Sequence, residues 1–131
     1  MELSKQEFDA ILKLLPENRY FYFIKRVCDW EEMWTIYEDS GIVLNEDKNG
    51  NLSIFLFPFE PFASYYIQNT DELQSSFCKC ITLDKFVEET IEKLLSHNVV
   101  HALIFPVPNG YGLNISLQSL KEDLNQELEN Y

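Results

Sequence analysis

The amino-acid sequence predicts an α+β fold: a single domain with a largely antiparallel meander sheet, helices packed on it, and a pair of helices at the N-terminus. Two observations predict this class. Some stretches place apolar side chains at helical spacing, whereas others alternate at a period of two and are joined by turn signals such as Asn49-Gly50. The 131 residues suit one domain, and no repeat or linker divides them. We therefore treat 1–131 as one domain, with an N-terminal helix over 1–16 and a core over 17–131.

The first two predicted helices meet at Pro16. Ser4 stands at an N-cap position with Glu7 three residues later, which is the pattern of a capping box. Pro16 stops this helix and suits the first turn of the second, which is expected to end near Asp29. Each helix has one apolar stripe that predicts a buried face. The stripe of the first consists of Phe8, Ile11, Leu12 and Leu15, and that of the second of Tyr20, Ile24, Val27 and Cys28.

Three strands are predicted after the second helix. The stretch 33–38 alternates and carries large apolar side chains on both faces, which is typical of a strand in the middle of a covered sheet. The stretch 42–44 continues it after a turn at Gly41, and 52–57 returns after the turn at Asn49-Gly50. Together they predict a meander.

Helices and strands alternate in the second half of the chain. The helix after Thr82 has an apolar stripe that includes Leu95, and the stripe of the last helix includes Leu128. The predicted elements are a helix over about 61–68, an extended segment over 77–81, a helix from Thr82 to about 96, strands over 99–105 and 112–115, and a final helix capped by Ser116.

The charge of the chain limits its partners. A net charge of −12 comes from 22 acidic and 10 basic residues, which are spread along the chain. Such a field repels phosphate backbones and anionic lipid and speeds encounters with basic proteins. We expect neither a nucleic-acid nor a membrane partner, and a basic protein is the partner that the charge favours. The same charge is also explained by solubility alone.

The cysteines and the N-terminal residues predict a cytoplasmic protein. Three Cys cannot all pair within the chain, so no disulfide framework is expected. The first residues lack the pattern of a signal peptide, and no apolar stretch has the length that spans a bilayer. These observations favour a reducing compartment.

Motifs for metal binding are incomplete. The stretch 45–50 imitates the start of a calcium loop, but the twelfth position, which needs a carboxylate, holds Leu56. His97 and His101 would be roughly 13 Å apart on a strand, and Cys78-Lys79-Cys80 lacks the usual spacing of zinc ligands. We therefore expect no metal and no cofactor, and we interpret 45–50 as a hairpin turn.

Motifs for catalysis are also incomplete. The sequence has no Gly-x-Ser-x-Gly elbow and only four Gly, too few in the right spacing for a phosphate cradle. Asp29, Glu31 and Glu32 lie beside two Trp, as in a sugar-binding cleft, but a solvated helix end is the favoured explanation. The sequence leaves open whether the protein is an enzyme, and it favours a protein without catalytic activity.

One arginine and eight aromatic residues form the candidate partner or ligand surface. Protein interfaces are enriched in Trp, Tyr and Phe, although aromatic side chains also fill cores, and a core position is favoured for the group around Phe57. For Arg19 we favour a surface ion pair over contact with a ligand anion. The candidates are Arg19, Trp30, Trp34, Tyr37, Phe57, Phe59, Phe62, Tyr65 and Tyr111.

Several short sequence motifs follow one another in a recognisable order over 19–124. They are Arg19-Tyr20 followed by Phe23-Ile24-Lys25 and Val27, then Asp29 and Trp34, Phe57-Pro58, 81–86, and Phe105-Pro106-Val107-Pro108 with Gly112. In this order the sequence resembles a family of small bacterial proteins, the domain-of-unknown-function family 2750. Phe57 stands where the family pattern has Trp. The resemblance implies a bacterial origin and one compact domain, and it implies no activity.

The leading functional hypothesis is a non-catalytic protein-binding module, such as an immunity or regulatory factor for a basic partner. It is motivated by the charge, the aromatic residues and the incomplete catalytic motifs. The alternative is a small enzyme or small-molecule-binding domain with an aromatic pocket lined by Tyr37, Tyr65 and Tyr111. A third hypothesis is a structural subunit that dimerises through a sheet edge. The sequence leaves the oligomeric state open.

Overall fold

The computed structural model describes residues 3–131. Within this range five helices and seven strands follow one another, and a 3₁₀ turn lies at Asp71–Leu73. The helices are α1 Lys5–Leu12, α2 Pro16–Trp30, α3 Glu60–Gln68, α4 over 83–96, and α5 Leu117–Leu128. The strands are β1 Glu32–Glu38, β2 Gly41–Ile42, β3 Leu44–Glu46, β4 Leu52–Leu56, β5 Phe77–Thr82, β6 His101–Ile104 and β7 Leu113–Ser116.

The strands form two sheets. The first has the order β2-β1-β5 and is antiparallel, and the second has the order β3-β4-β6-β7. Only the β4–β6 pair among these described strands is parallel, because α3, β5 and α4 intervene between the two strands and allow a crossover. The predicted α+β class with a largely antiparallel sheet is confirmed.

The predicted meander divides between the two sheets at Val43. Gly41–Ile42 pairs with β1, whereas Leu44–Glu46 pairs with β4. The sheets stay connected because Trp34 and Phe57 exchange two backbone hydrogen bonds of 2.9 and 2.8 Å. The buried hydroxyl of Thr35 also donates to the carbonyl oxygen of Phe55 at 2.6 Å. The two sheets therefore share one strand junction and one core.

The junction of α1 and α2 shows one correct and one wrong prediction. The Ser4 hydroxyl accepts from the Glu7 N–H at 3.1 Å, as the capping box predicts. Leu15 was expected on the buried stripe of α1, but α1 ends at Leu12 and Leu15 is 64% exposed. The reason is Pro16, which disfavours a helical conformation at the preceding residue; Leu15 is extended, with φ −65° and ψ 154°.

The fourth helix contains a π-helical segment that shifts its apolar stripe. The Ile91 N–H donates to the Phe86 carbonyl, five residues earlier, within the segment Phe86–Thr90. This wider turn changes the angular position of the residues that follow. Thr90 is buried as a result and Leu95 is exposed, so the prediction that Leu95 lies on the apolar face is wrong.

The last helix begins as predicted and ends beyond the core. The Ser116 hydroxyl accepts from the Ser119 N–H at 3.1 Å, and Leu117, Leu120 and Leu124 are fully buried. Leu128 was also expected to face inward, but it is exposed because it belongs to the last turn of the helix, past the packed layer.

Aromatic side chains fill the core. The ring of Phe105 packs against those of Phe62 at 4.7 Å and Phe57 at 6.4 Å, measured between ring centroids. Phe8 connects α1 to this group, because its ring stacks on Phe62 at 4.9 Å and meets the edge of Tyr65 at 5.4 Å. The aromatic group around Phe57 is therefore mainly core, as the sequence favoured.

Arg19 connects distant parts of the backbone. The side chain is only 3% exposed, and its Nε donates to the carbonyl oxygen of Phe105 at 3.1 Å. The two terminal nitrogens donate to the carbonyl oxygens of Leu14 and Tyr111. The predicted surface ion pair is wrong, since within residues 3–131 the guanidinium pairs with carbonyls and with no carboxylate. Burial lowers the pKa of Arg19 from its ordinary value.

Gly112 allows β7 to start close to the Arg19 network. A Cβ at this position would lie 2.8 Å from the carbonyl oxygen of Ile104 and 3.0 Å from the nitrogen of Pro106. Only glycine accepts so close a backbone approach.

Among the described helices none is long and apolar enough to cross a membrane.

Candidate functional site

Three of the nine candidate surface residues lie in the interior. Arg19, Phe57 and Phe62 are buried, so their placement on a partner surface is wrong. Phe57 and Phe62 fill the core beside Phe105, and Arg19 satisfies backbone carbonyls. The remaining candidates are exposed or half-buried: Trp30, Trp34, Tyr37, Phe59, Tyr65 and Tyr111. Their role in binding stays a prediction.

The three tyrosines expected to line one aromatic pocket lie apart. Tyr37 stacks on Phe77, which faces it across the β1–β5 pair at 6.3 Å. Tyr65 packs against Phe8 of α1. Tyr111 is 83% exposed and borders a separate open hollow near Tyr66. The pocket predicted from these three residues does not form, because the strands and α3 direct them to different faces.

Two tryptophans and Phe59 instead line one open depression, which we call the aromatic groove. It has a volume of about 390 Å³. The rings of Trp30 and Phe59 lie 6.2 Å apart and nearly perpendicular, at 78°, so they form two walls. The lining consists of Leu3, Trp30, Glu32, Trp34, Phe59, Glu60 and Pro61.

The local sequence explains how the aromatic groove forms. The helix α2 ends at Trp30, and Glu31 adopts a left-handed conformation with φ 57° that turns the chain directly into β1. The Leu83 N–H donates to the carbonyl oxygen of Glu31 at 2.8 Å and holds this turn. The backbone pairing of Trp34 with Phe57 then brings the start of α3, with Phe59, to the same side.

The groove is acidic. Glu32 and Glu60 both line it, and among residues 3–131 no Lys or Arg does. The neighbouring Arg26 is occupied elsewhere: its guanidinium pairs with Asp29 at 2.7 Å and lies over the ring of Tyr22. Aromatic faces beside carboxylates that form no ion pair attract cations, since both the ring quadrupole and the charge favour them. The groove therefore combines aromatic rings with negative charge.

Cys80 contacts Glu32 of the groove through its thiol. Its Sγ donates to Glu32 Oε2 at 2.8 Å. Burial, the hydrogen bond and the negative charge of Glu32 together raise the pKa of Cys80 to about 12. At neutral pH the group is a thiol, and the thiolate is the nucleophilic form of cysteine.

The acidic residues Asp29, Glu31 and Glu32 have different surroundings. Asp29 accepts hydrogen bonds from Arg26 and from the Tyr131 hydroxyl, and Glu31 is exposed. Glu32 is the member of this cluster that lines the groove. The sequence reasoning found the cluster but missed Glu60, because no local spacing places the start of α3 beside the end of α2.

Candidate metal ligands are engaged in local contacts. The Nδ1 atom of His97 lies 2.9 Å from the carbonyl oxygen of Lys93, and Cys78 contacts the Ser64 hydroxyl at 3.5 Å. In the calcium-like stretch, Asp47 Oδ1 accepts the N–H groups of Asn49 and Asn51 at 2.8 and 2.9 Å. Within the described part of the chain no three His, Cys, Asp or Glu residues form a group suited to a metal.

A second depression lies between the β1–β2 turn and the end of α4, and we call it the α4 pocket. Its volume is about 410 Å³. The sequence reasoning missed it, because its walls come from segments that are distant in the chain. The lining consists of Tyr37, Ser40, Gly41, Ile42, Leu44, Thr90, Lys93, Leu94, His97 and Val99.

The fold and the groove define a small α+β domain with two joined sheets and an open, acidic aromatic groove. Residues 20–124 match the family described as "Protein of unknown function (DUF2750)", and the chain belongs to this family. The resemblance seen in the sequence is thereby confirmed. No curated protein and no solved structure matches the chain. The family description assigns no activity.

Proposed function

We propose that this protein is a non-catalytic binding module of the bacterial cytoplasm, and that it engages a basic protein partner through the aromatic groove. The observation that supports the proposal is the composition of the groove, where Trp30, Trp34 and Phe59 stand beside Glu32 and Glu60. An immunity or regulatory factor against a basic protein is a role that fits such a surface.

A Lys or Arg side chain of the partner suits the groove in two ways. Its aliphatic stem packs on the aromatic walls, and its charged head meets the carboxylates. The cation–π contact contributes about 0.5–2 kcal/mol, depending on how far water is excluded. Arginine is favoured over lysine, because its planar guanidinium stacks on rings and pairs with a carboxylate through two hydrogen bonds.

The charge of the whole chain assists this binding at long range. The net charge of −12 attracts a basic partner before contact and raises the rate of association. Salt screens this attraction over a Debye length of about 10 Å at 0.1 M. We therefore expect the association rate to fall with salt, while the stacking on Trp30 persists.

A peptide titration tests the proposal. The probe is a short Arg-rich peptide, and its matched control replaces each Arg with Gln; tryptophan fluorescence reports binding, since Trp30 and Trp34 line the groove. We expect the Arg peptide to bind and the Gln peptide not to bind. The variant Trp30→Ala should weaken binding about tenfold or more, as is usual for an aromatic side chain that a partner covers at the centre of an interface.

Phe21→Ala provides the matched control variant. Phe21 is 67% exposed on α2, outside the groove lining, so its removal should leave the affinity unchanged. The proposal is wrong if the Gln peptide binds as tightly as the Arg peptide, or if no Arg peptide binds at low salt. It is also wrong if Trp30→Ala and Phe21→Ala have equal effects.

A further inference from the structure

The α4 pocket lies where the chain passes from the first sheet to the second. Gly41–Ile42 pairs with β1, the Val43 N–H still donates to the carbonyl oxygen of Ile36 at 2.9 Å, and Leu44 pairs with Ile54 of β4. The last turns of α4 form one side of the pocket, with Leu94 and His97 in the lining, and Val99 also lines it. The hollow is thus a consequence of the fold and not of a single side chain.

The walls of the α4 pocket are mostly apolar. Ile42, Leu44, Leu94 and Val99 are aliphatic, and the ring of Tyr37 adds an aromatic surface. A volume of about 410 Å³ falls in the range of about 300–1,000 Å³ that small-molecule sites occupy. The interior therefore suits a small apolar group.

The charged side chain in the lining of the α4 pocket, Lys93, is opposite in sign to the net charge of the chain. Lys93 and His97 line the pocket, together with the hydroxyl-bearing Ser40 and Thr90. Among residues 3–131 no Asp or Glu lines the pocket, although the chain has 22 acidic residues. A second cation lies near one wall, since the Lys79 ammonium lies 4.8 Å from the centroid of the Tyr37 ring.

The conformation of α4 positions His97 and Thr90 in the pocket lining. The carbonyl oxygen of Lys93 can only accept, so the Nδ1 atom of His97, 2.9 Å away, carries the proton and donates to it. The Nε2 atom of His97 is not used by this bond. The π-helical segment Phe86–Thr90 places Thr90 in the lining, and such segments are frequent at functional sites.

We propose that the α4 pocket binds a small amphipathic carboxylate, a molecule with an apolar body and one carboxylate group. The body fills the space between the aliphatic walls. The carboxylate lies at the rim, where it accepts hydrogen bonds from the Lys93 ammonium and from the Thr90 hydroxyl, since the Ser40 hydroxyl already donates to Glu38 Oε1 at 2.9 Å. This ligand class is opposite in charge to the basic partner of the aromatic groove, and the two sites share no lining residue.

A titration of the full chain with octanoate tests the proposal. Two probes of equal length serve as controls: 1-octanol, which is neutral, and octyltrimethylammonium, which is cationic. Backbone amide shifts measured by NMR report the site. We expect octanoate to move the signals of 37–44 and 90–99, to bind more tightly than octanol, and to bind far more tightly than the cationic probe.

Matched charge variants on α4 assign the rim. Lys93→Gln should weaken octanoate binding about threefold to fivefold, which is the size of one exposed charge contact, and should leave octanol binding unchanged. Lys85→Gln removes the same charge from an exposed position of α4 outside the pocket lining and should change nothing. Neither substitution is in the core, so both variants are expected to fold.

Several results would overturn the proposal. One is the absence of amide shifts at millimolar octanoate. Another is shifts confined to the aromatic groove. Equal binding of octanoate and octanol, or equal effects of Lys93→Gln and Lys85→Gln, would show that the rim charge recognises no carboxylate. Trp30 does not line the α4 pocket, so Trp30→Ala should leave octanoate binding unchanged. The basic-partner proposal and the carboxylate proposal are therefore tested independently.

Discussion

The aromatic groove and the α4 pocket are hollows of similar size with opposite chemistry. The groove, of about 390 Å³, combines aromatic rings with Glu32 and Glu60. The pocket, of about 410 Å³, combines aliphatic side chains with Lys93 and His97. One chain of net charge −12 therefore carries one hollow with carboxylates in its lining and another with a Lys and no Asp or Glu among the described lining residues. Net charge describes solubility and encounter, and it does not describe a particular site.

The two hollows also differ in how they are built. Apart from Leu3, the groove uses two short segments, 30–34 and 59–61, brought together by one backbone pairing. The pocket uses residues of β1, of the β1–β2 turn, of β2 and β3, and of the end of α4 with the segment that follows it. The groove therefore depends on a local turn, whereas the pocket depends on the relative position of several elements. Each difference can be tested by substitution.

The largest expected effect is on the stability of the fold that contains both hollows. Arg19→Leu removes the donors to three backbone carbonyls, at Leu14, Phe105 and Tyr111. Leaving the buried Phe105 carbonyl without a donor costs about 1–3 kcal/mol, and the part-buried carbonyls of Leu14 and Tyr111 add a smaller cost, so we expect a loss of roughly 2–3 kcal/mol in the free energy of unfolding. Urea unfolding followed by circular dichroism measures it.

The control for this substitution is Arg26→Leu. Arg26 forms an ion pair with Asp29 on the surface of α2, and the loss should stay below about 1 kcal/mol. Neither residue lines the groove or the pocket, so the molecules that remain folded should bind both probes normally. Equal destabilisation by the two substitutions would contradict the role of Arg19.

The next largest effect tests whether peptide binding depends on the carboxylates of the groove or on the net charge of the whole chain. The double substitution Glu32→Lys and Glu60→Lys should weaken binding of the Arg-rich peptide more than tenfold, or ~1.4 kcal/mol, and leave octanoate binding at the α4 pocket unchanged. Calorimetry of both probes measures this. Glu88→Lys, at an exposed position of α4, is the control for the general field. If one such control charge weakens peptide binding as much as the groove pair does, the groove has no special role.

A smaller effect concerns the thiol that contacts Glu32 of the groove. Glu32→Gln removes the charge that helps to raise the pKa of Cys80 to about 12. The pKa should fall, so that more thiolate is present at pH 8.5 and alkylation by iodoacetamide becomes faster, about tenfold for each pKa unit. Peptide mapping by mass spectrometry gives the rate, and buried Cys28 is the internal control. An unchanged rate at Cys80 would show that Glu32 does not control it.

The smallest effect lies in the β3–β4 turn, next to the pocket residue Leu44. Hydrogen bonds from Asn51 and Asn49 lower the pKa of Asp47 below its usual range. A lowered folded-state pKa stabilises the protein above the unfolded pKa of about 3.9, and this contribution is lost as the pH falls through the folded pKa. Asp47→Ala should therefore be slightly less stable at pH 7 and equally stable in strong acid. Thermal unfolding at both pH values checks it, and an equal difference at the two would contradict it.

The sequence predicts those parts of the fold that depend on neighbouring residues. The caps at Ser4, Thr82 and Ser116 form as expected, since a hydroxyl needs only an N–H three residues later. The alternation of 33–38 correctly predicts a central strand with both faces covered, and Met33 and Ile36 are fully buried. Such signals are contained in a few adjacent residues.

The rest depends on contacts between distant residues. Arg19 was assigned to the surface because charged side chains usually lie there, but its partners at Phe105 and Tyr111 are 86 and 92 positions away. The division of the meander at Val43 and the parallel pairing of β4 with β6 have no local signal either. Among the groove residues, the sequence indicated the two tryptophans and Phe59 as candidates. Among the residues of the α4 pocket it indicated Tyr37 but not Lys93, and it placed Tyr37 in a different pocket.

The strand order has a consequence for the time at which the chain can fold during synthesis. β1 pairs with β5, where Tyr37 faces Phe77, and β4 pairs with β6, where Ser53 faces His101. Neither sheet is complete until the second half of the chain has left the ribosome, and β7 and α5 come later still. Contacts between residues so distant in sequence form slowly. The nascent protein therefore exposes its aromatic core until late in translation, and it is at this stage that a chaperone would protect it from aggregation.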